Sequence, residues 1–144
     1  MNVKDQLCNF EQAKRLKELG VKQESLFYHF QQTENDDPDV ISCDIKDFFN
    51  HAIFYSAFTV AELGNMLPKI LPWKSYDYGM VLVQNFPDGK EQSNYTTEYI
   101  SIDSDLDYVG SIFEEEGSTE AESRAAMLIF LLETGVIKVN DLNK

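Results

Sequence analysis

The stretch Thr119–Val136, TEAESRAAMLIFLLETGV, decides the fold of this chain. Its apolar residues recur at the three- and four-residue spacing of one helix face. Thr119 followed by Glu122 is the pattern of a capping box, in which each side chain binds the backbone of the other residue. We therefore predict a helix from about Glu120 to Glu133, with a stripe formed by Ala121, Ala125, Leu128, Ile129, Leu132 and Val136.

The width of this apolar stripe suits a helix that lies across a sheet. Leu128 and Leu132 are expected to be buried against it, and each should stabilise the fold by roughly 1.5–3 kcal/mol. Strands must therefore come from the rest of the chain.

Two more helices are predicted nearer the start, each preceded by a capping box. The first runs from about Phe10 to Leu19, and Gly20 ends it because glycine readily adopts a left-handed conformation. The second begins after Thr59 and ends before Pro68, which cannot continue a helix. The two boxes are formed by Asn9 with Gln12 and by Thr59 with Glu62.

Short runs of aromatic and β-branched residues predict strands. In Ser93–Ile102 the side chains alternate, with Thr97 and Tyr99 on one face and Glu98 and Ile100 on the other, which is typical of a half-buried antiparallel strand. Ile45–Asn50 fits either a helical turn or a loop. The predicted strands are Ser25–Phe30, Val40–Cys43, His51–Phe58, Tyr78–Phe86, Ser93–Ile102 and Asp107–Glu116.

These elements predict an α+β fold. An antiparallel sheet of about four to five strands is packed by the long C-terminal helix, the N-terminal helix and the short middle helix. A chain of 144 residues has the usual size of one domain. We expect residues 1–144 to form a single one.

The chain is strongly acidic, with 12 Lys and Arg against 25 Asp and Glu and a formal charge of −13. Nucleic-acid binding depends on basic side chains that displace condensed counterions. We therefore predict no direct binding to nucleic acid. An acidic surface attracts basic partners instead.

Cys8 and Cys43 are too few for a disulfide framework and lack the spacing of a zinc or redox motif. The N-terminus has neither the basic start nor the apolar core of a signal peptide. No apolar run approaches the about 18 residues that span a bilayer. We expect a cytoplasmic protein without membrane contact.

One segment, DSDLDYVGSIFE, has the ligand spacing of a calcium loop. Asp103, Asp105, Asp107 and Glu114 occupy its first, third, fifth and twelfth positions. Tyr108 stands where such a loop needs glycine, and the flanking segments are predicted to be strands instead of helices. The alternative is an acidic, solvated loop between two strands.

Catalytic signals are weak. Nucleophilic catalysis needs a serine or cysteine beside a base, and both His29 and His51 lie among aromatic residues of predicted strands, where a structural role is the usual one. The sequence lacks the glycine-rich motifs that hold phosphates, so we predict no cofactor. An acid–base pair could form by proximity among Glu98, Glu114, Glu115 and Glu116, but abundant carboxylates alone do not indicate one.

Trp73, Tyr76 and Tyr78 cluster beside Pro72, and such rigid amphipathic side chains are common anchors of protein interfaces. They also fit ordinary core or edge positions. A sheet edge could pair between two copies, which leaves a homo-oligomer open.

Three stretches resemble a group of small phage and prophage proteins of Bacteroides-type bacteria. They are FEQAKRLKELGVKQESLFYH, AFTVAELGNMLP and TEAESRAAMLIFLLETGVI. The similarity leaves Gln31–Asn50 and Trp73–Ser111 unmatched, and a weaker likeness is to small phage domains of the ABA-sandwich type. The group has no assigned activity, so the resemblance supplies no functional residue. Ser123 stands where the group usually has alanine or aspartate, at an expected surface position.

Three functions fit these patterns. The first is a non-enzymatic accessory protein of a phage or mobile element that acts through protein contacts. The second is an acidic nucleic-acid mimic that blocks a basic DNA-binding protein. The third, least supported, is a small enzyme that depends on a metal or on paired carboxylates.

Overall fold

The computed structural model describes residues 2–49, 51–74, 76–85, 94–102 and 111–143. Short 3-10 helices cover Val3–Gln6 and Cys43–Phe48. The α-helices are α1 (Phe10–Glu18), α2 (Val60–Met66), α3 (Glu120–Glu133) and α4 (Val139–Leu142). The strands are β1 (Phe27–Gln31), β2 (Asp39–Ser42), β3 (Ile53–Ser56), β4 (Ile70–Trp73), β5 (Tyr76–Asn85), β6 (Asn94–Ser101) and β7 (Ser111–Gly117).

The three predicted helices are confirmed, and two of the three capping boxes are complete. Ahead of α1, the Asn9 side chain accepts from the Gln12 amide at 2.8 Å, and the Gln12 side chain accepts from the Asn9 amide at 3.2 Å. Gly20 follows α1 with a φ of +90°, a conformation that glycine adopts without strain.

The third box is only half formed. Thr119 accepts from the Glu122 amide at 3.1 Å, as predicted. The Glu122 carboxylate, however, accepts from the backbone N–H and the hydroxyl of Ser118 instead of from Thr119. Since Ser118 precedes Thr119, the carboxylate satisfies a donor one residue further from the helix.

The α+β class is confirmed, but the strands form two antiparallel sheets. One sheet has the order β2-β1-β3, and the other has the order β4-β5-β6-β7. The predicted antiparallel sheet of about four to five strands corresponds to the four-stranded sheet on which α3 packs, and the separate three-stranded sheet was not predicted. Of Ile45–Asn50, whose sequence fits either a helical turn or a loop, residues 45–48 lie in the 3-10 helix Cys43–Phe48, and Asn50 lies outside the described residues.

Strand β4 was not predicted, because Pro68 and Pro72 indicated only a helix end. Pro72 lacks a backbone donor, but β4 lies at the edge of the sheet, where β5 is its one partner among the described strands. An edge strand tolerates proline because one side of it makes no ladder hydrogen bonds.

Helix α3 packs on β6 and β7 of the four-stranded sheet and also contacts α1 and α2. It is therefore covered on more sides than a single stripe predicts. Leu128 is fully buried as expected, but Leu131 is the second fully buried leucine, and Leu132 is only partly buried. Ser123, expected on the surface, is also fully buried.

The three-stranded sheet is held to the helices by polar contacts. Glu62 of α2 accepts hydrogen bonds from the Ser25 hydroxyl at 2.8 Å and from the Leu26 amide at 3.1 Å, just before β1. Lys17 of α1 donates to the carbonyl of Phe54 in edge strand β3 at 3.0 Å. The Lys17 bond covers a backbone carbonyl that the free edge of β3 would leave open.

One cluster of buried side chains joins the helices to the four-stranded sheet. Its largest fully buried members are Tyr99, Leu16, Leu63, Met127, Leu128 and Leu131. Among the described residues, no helix has the length and apolarity that crossing a membrane requires.

Candidate interaction surface on the four-stranded sheet

Strand β6 shows which face of the sheet meets the helices. The Thr97 hydroxyl lies 2.9 Å from the Ser123 hydroxyl of α3, and Tyr99 is fully buried. Because side chains alternate along a strand, Glu98 and Ile100 lie on the opposite side. We call that side the outer face; by strand register it comprises Ile70, Pro72, Asp77, Gly79, Val81, Val83, Thr96, Glu98, Ile100, Ile102, Glu114 and Glu116.

Strand β5 is apolar on both faces. Met80 and Leu82 lie on the side of α3, and Val81 and Val83 lie on the outer face. An antiparallel sheet with one solvated face usually alternates apolar and polar residues, and continuous apolar strands are those covered on both sides. Among the described elements, the helix that packs on β6 and β7 is α3, which covers the inner side.

Two large apolar residues stand exposed at this face. Ile70 is 56% exposed and Ile102 is 53% exposed. Gly79 pairs with Ile70 in the ladder, and a Cβ at Gly79 would lie 3.0 Å from Cγ2 of Ile102. Because Gly79 has no side chain, the Ile102 side chain can extend over β5.

The β7 margin of the outer face is acidic. Glu98 of β6 lies directly opposite Glu114 of β7, and Glu116 lies opposite Thr96. Like charges placed opposite each other destabilise a ladder. Glu98, Glu114 and Glu116 therefore form an acidic group at this margin of the outer face.

The β4 margin differs in charge. Between Leu63 and Tyr76 the sequence has two basic residues, Lys69 and Lys74, and no acidic one. Both lysines are exposed. Asp77, opposite Pro72, is an exposed acid at the end of the face. The β4 edge of the sheet therefore differs in charge from the acidic β7 edge, although Lys69, opposite Met80, has the strand parity of the α3 side.

The predicted interface residues lie mostly inside the protein. Tyr78 is buried, and the Trp73 ring meets the Phe113 ring edge-on with centroids 5.5 Å apart. Phe113 in turn contacts Phe130 of α3. Tyr76 remains 42% exposed. Of the two positions that the sequence left open for these residues, Trp73 and Tyr78 thus take the core one, while Tyr76 stays exposed.

Most of the candidate calcium ligands lie outside the described residues. Asp103, Asp105 and Asp107 lie outside the described residues, and Glu114 lies on β7 at the outer face. In the ranges that the structure does describe, no group of three or more His, Cys, Asp and Glu side chains could hold a metal ion.

His29 and Cys8 are close to each other but do not form a nucleophile and base. The His29 Nε2 lies 2.8 Å from the Cys8 carbonyl oxygen. Burial raises the pKa of the Cys8 thiol to about 12, so it stays protonated. Burial also lowers the pKa of His29, with a smaller effect of Lys4. His51 is exposed in a turn with a φ of 66°.

The carboxylates divide between the two sides of the sheet. Glu98 and Glu114 come together, but they do so on an open face, whereas acid–base pairs work in concave sites. Glu115 lies on the inner side, opposite Thr97. Burial, together with the charge of Glu133, raises the pKa of Glu115.

A cleft of about 500 Å³ lies behind β4 and was not foreseen. Its volume is within the range of small-molecule sites. Lys138 and Asp141 are the charged residues of its lining. The apolar part of the lining comes from Pro68, Leu71, Pro72, Val136, Ile137 and Leu142.

The chain was compared with protein families, with curated proteins and with solved structures, and none of the three comparisons gave a match. The outer face is therefore interpreted from its own geometry.

Proposed function

We propose that this chain is a non-enzymatic accessory protein of a phage or related mobile element, which acts in the cytoplasm by binding another protein chain through the outer face. The observation that carries the proposal is β5, whose apolar residues line both faces of a sheet that α3 covers on one. Such a strand is typical of a sheet whose two faces are both buried.

Burying the apolar residues of this face would contribute a modest free energy, which is sufficient for binding. Fully burying an isoleucine contributes roughly 1.5–3 kcal/mol. Ile70 and Ile102 are about half exposed, so each retains roughly half of that gain for an interface. Val81, Val83 and Ile100 are half-buried and add to it.

The resemblance to phage and prophage proteins supports the same interpretation. Its three stretches fall on α1 with β1, on α2 and on α3, which are the elements that build the core. Most of the outer face lies within Trp73–Ser111, the part that the resemblance leaves unmatched. A shared scaffold with a variable face is what partner-specific accessory proteins require.

Affinity capture with three baits tests the proposal. The wild-type chain, an Ile70→Ser/Ile102→Ser variant and a Leu26→Ser/Phe48→Ser variant are each exposed to an untagged copy and to an extract of host cells that carry the element. Leu26 and Phe48 are 59% and 81% exposed near the other sheet, so they form a matched control. Thermal unfolding shows that each bait is folded.

We expect a protein that the wild type and the control retain and the outer-face variant loses. The same retained proteins on all three baits, or none on any, would contradict the proposal. Turnover of a substrate by the purified wild type would contradict its non-enzymatic part.

The acidic margin favours a second candidate, a nucleic-acid mimic that occupies a basic DNA-binding protein. Glu114 and Glu116 are two residues apart on β7, which separates them by about 6.7 Å along the strand. With Glu98 they form an acidic group on one face. The mimic predicts binding that weakens steeply with salt and that DNA competes away, whereas apolar binding through Ile70 and Ile102 is insensitive to both.

A further inference from the structure

We propose that the cleft behind β4 binds a small organic molecule that has an apolar body and a single carboxylate group. This site is separate from protein binding at the outer face, so the inference goes beyond the proposed function and does not rest on it. Three observations carry it: the apolar wall of the cleft, a lysine in its lining, and the distribution of charge in the two segments that enclose it.

The first observation is the wall of the cleft, which is apolar and held in place. Leu71 is buried in the core and lines the cleft between Pro68 and Pro72, whose rings fix φ and leave no backbone donor. The Pro68 carbonyl accepts from the Tyr99 hydroxyl at 2.7 Å. On the other side, the Ile137 amide donates to a carbonyl of α3 at 3.2 Å. These two backbone groups of the wall are therefore bonded within the protein, and the surface offered to a ligand is largely hydrocarbon.

The size of the cleft limits the class of ligand. A volume of about 500 Å³ lies within the range of small-molecule sites. Nine residues line the cleft, whereas a stable protein interface takes about 20–30 residues on each side. The cleft therefore fits a small molecule and is too small to be a protein interface by itself.

The second observation is Lys138, the basic residue of the lining. Its side chain is exposed, and within the described part of the chain no carboxylate lies at ion-pair distance from its ammonium group. Asp141, the acidic residue of the lining, already has an interaction within the chain. The ammonium group of Lys138 is thus available to an anionic group on a ligand.

The third observation is the charge of the two segments that enclose the cleft. Residues 64–75 include two basic residues and no acidic one, and residues 134–142 include one of each, in a chain with 12 basic and 25 acidic residues. Glu133, just before the second segment, is paired with Arg15 at 2.8 Å. Asp77 lies opposite β4 but does not line the cleft. Since salt screens charges beyond about 8 Å, an anion is repelled less here than the net charge suggests.

These features select both parts of the ligand. One ammonium group matches a monovalent carboxylate, whereas a phosphate is typically held by several donors or by a bidentate arginine. The apolar wall matches a hydrocarbon body. Octanoate is a suitable probe, and with only about ten non-hydrogen atoms it should bind with a dissociation constant on the order of a millimolar.

Amide NMR titrations of the purified chain test the inference. The chain is titrated with octanoate and, separately, with octylammonium, which has the same length of hydrocarbon chain and the opposite charge. The variants are Lys138→Gln and Lys138→Glu. Lys14→Gln is the matched control, because it removes an exposed lysine from α1. Circular dichroism verifies that every variant is folded.

We expect octanoate to shift the amides of Leu71, Val136 and Ile137 to saturation. Octylammonium should shift them less, although the net charge of −13 favours the cation overall. Lys138→Gln should raise the dissociation constant for octanoate about fivefold, and Lys138→Glu should reverse the preference between the two probes. Lys14→Gln should leave the affinity for both probes unchanged.

The inference would be overturned by the absence of saturable octanoate shifts, by equal binding of the two probes, or by equal losses of affinity in Lys138→Gln and Lys14→Gln. Octanoate shifts confined to Ile70 and Ile102 would also overturn it, because they place the probe on the outer face. Protein capture through the outer face is measured separately, so each of these results leaves the proposed function intact.

Discussion

Ser123 of α3 and Thr97 of β6 join their hydroxyl groups at 2.9 Å, with both side chains buried. Ser123 also donates to the Glu120 carbonyl at 3.0 Å, which makes Thr97 the donor between the two hydroxyls. This contact fixes the inner side of β6. As a consequence, Glu98 and Ile100 face outward.

Ser123→Ala should lower the free energy of unfolding by about 1–3 kcal/mol, because the Thr97 hydroxyl then has no acceptor in the core. Thr97→Val should cost less, since Ser123 keeps its bond to Glu120. The double variant should cost less than the sum of the two, because it removes both polar groups. Urea denaturation of the four proteins measures the coupling, and strictly additive losses would contradict it.

Gly117→Ala should destabilise the fold by about 1–3 kcal/mol. A Cβ at Gly117 would meet the backbone N of Ser123 and lie 2.7 Å from the carbonyl carbon of Glu122. Backbone atoms cannot move aside without shifting α3 against β7. Thermal denaturation measures the loss.

Gly64→Ala provides the contrast, since its Cβ would meet the flexible Arg124 guanidinium. Alanine also gains about 1 kcal/mol of helix propensity over glycine. We expect a near-neutral effect there. Equal losses at Gly117 and Gly64 would show that the close approach of β7 to α3 is not the cause.

The helices were predictable because their signals are local. A cap such as Asn9 with Gln12 needs residues three apart and nothing from the rest of the chain. The inner and outer sides of β6 were likewise readable from alternation, as Tyr99 and Glu98 show. The partition into two sheets was not, because a strand's sequence does not say which edge it will pair with.

The sequence also did not predict which side chains of α3 are buried. An apolar stripe in a helix sequence predicts one buried face, but α3 contacts a sheet and two helices. Ser123 and Leu131 are therefore buried outside the predicted stripe. The sequence does not decide whether an aromatic residue is exposed, for a related reason. Trp73 and Tyr78 are equally suited to a core and to an interface, and only the position of Phe113 and α3 places them inside.

His29 should make the protein less stable as the pH falls. Burial holds its pKa below the ordinary 6.5, so between that value and its folded pKa the unfolded chain takes up a proton that the folded protein does not. His29→Gln should reduce the slope of unfolding free energy against pH in this window. His51→Asn is the control at an exposed histidine, and an unchanged slope in His29→Gln would contradict the assignment.

Glu115 should have the opposite effect on the pH dependence of stability. Its pKa is raised by burial and by Glu133, so the folded protein binds a proton more readily than the unfolded chain and gains stability as the pH falls through that folded pKa. Glu115→Gln should therefore raise the melting temperature at neutral pH, with the gain vanishing in acid. Glu116→Gln, the same change on the outer face, should give a smaller gain. A loss of stability in Glu115→Gln at neutral pH would contradict this.

The central claim is that the outer face is the surface through which this chain binds another protein chain. Amide NMR spectra of the wild type, recorded alone and with the protein that affinity capture retains, test it residue by residue. The account predicts partner-dependent shifts at Gly79, Val81, Glu98, Ile100 and Ile102, and constant positions across β1, β2 and β3. Shifts confined to the three-stranded sheet, or spectra that the partner leaves unchanged, would contradict it.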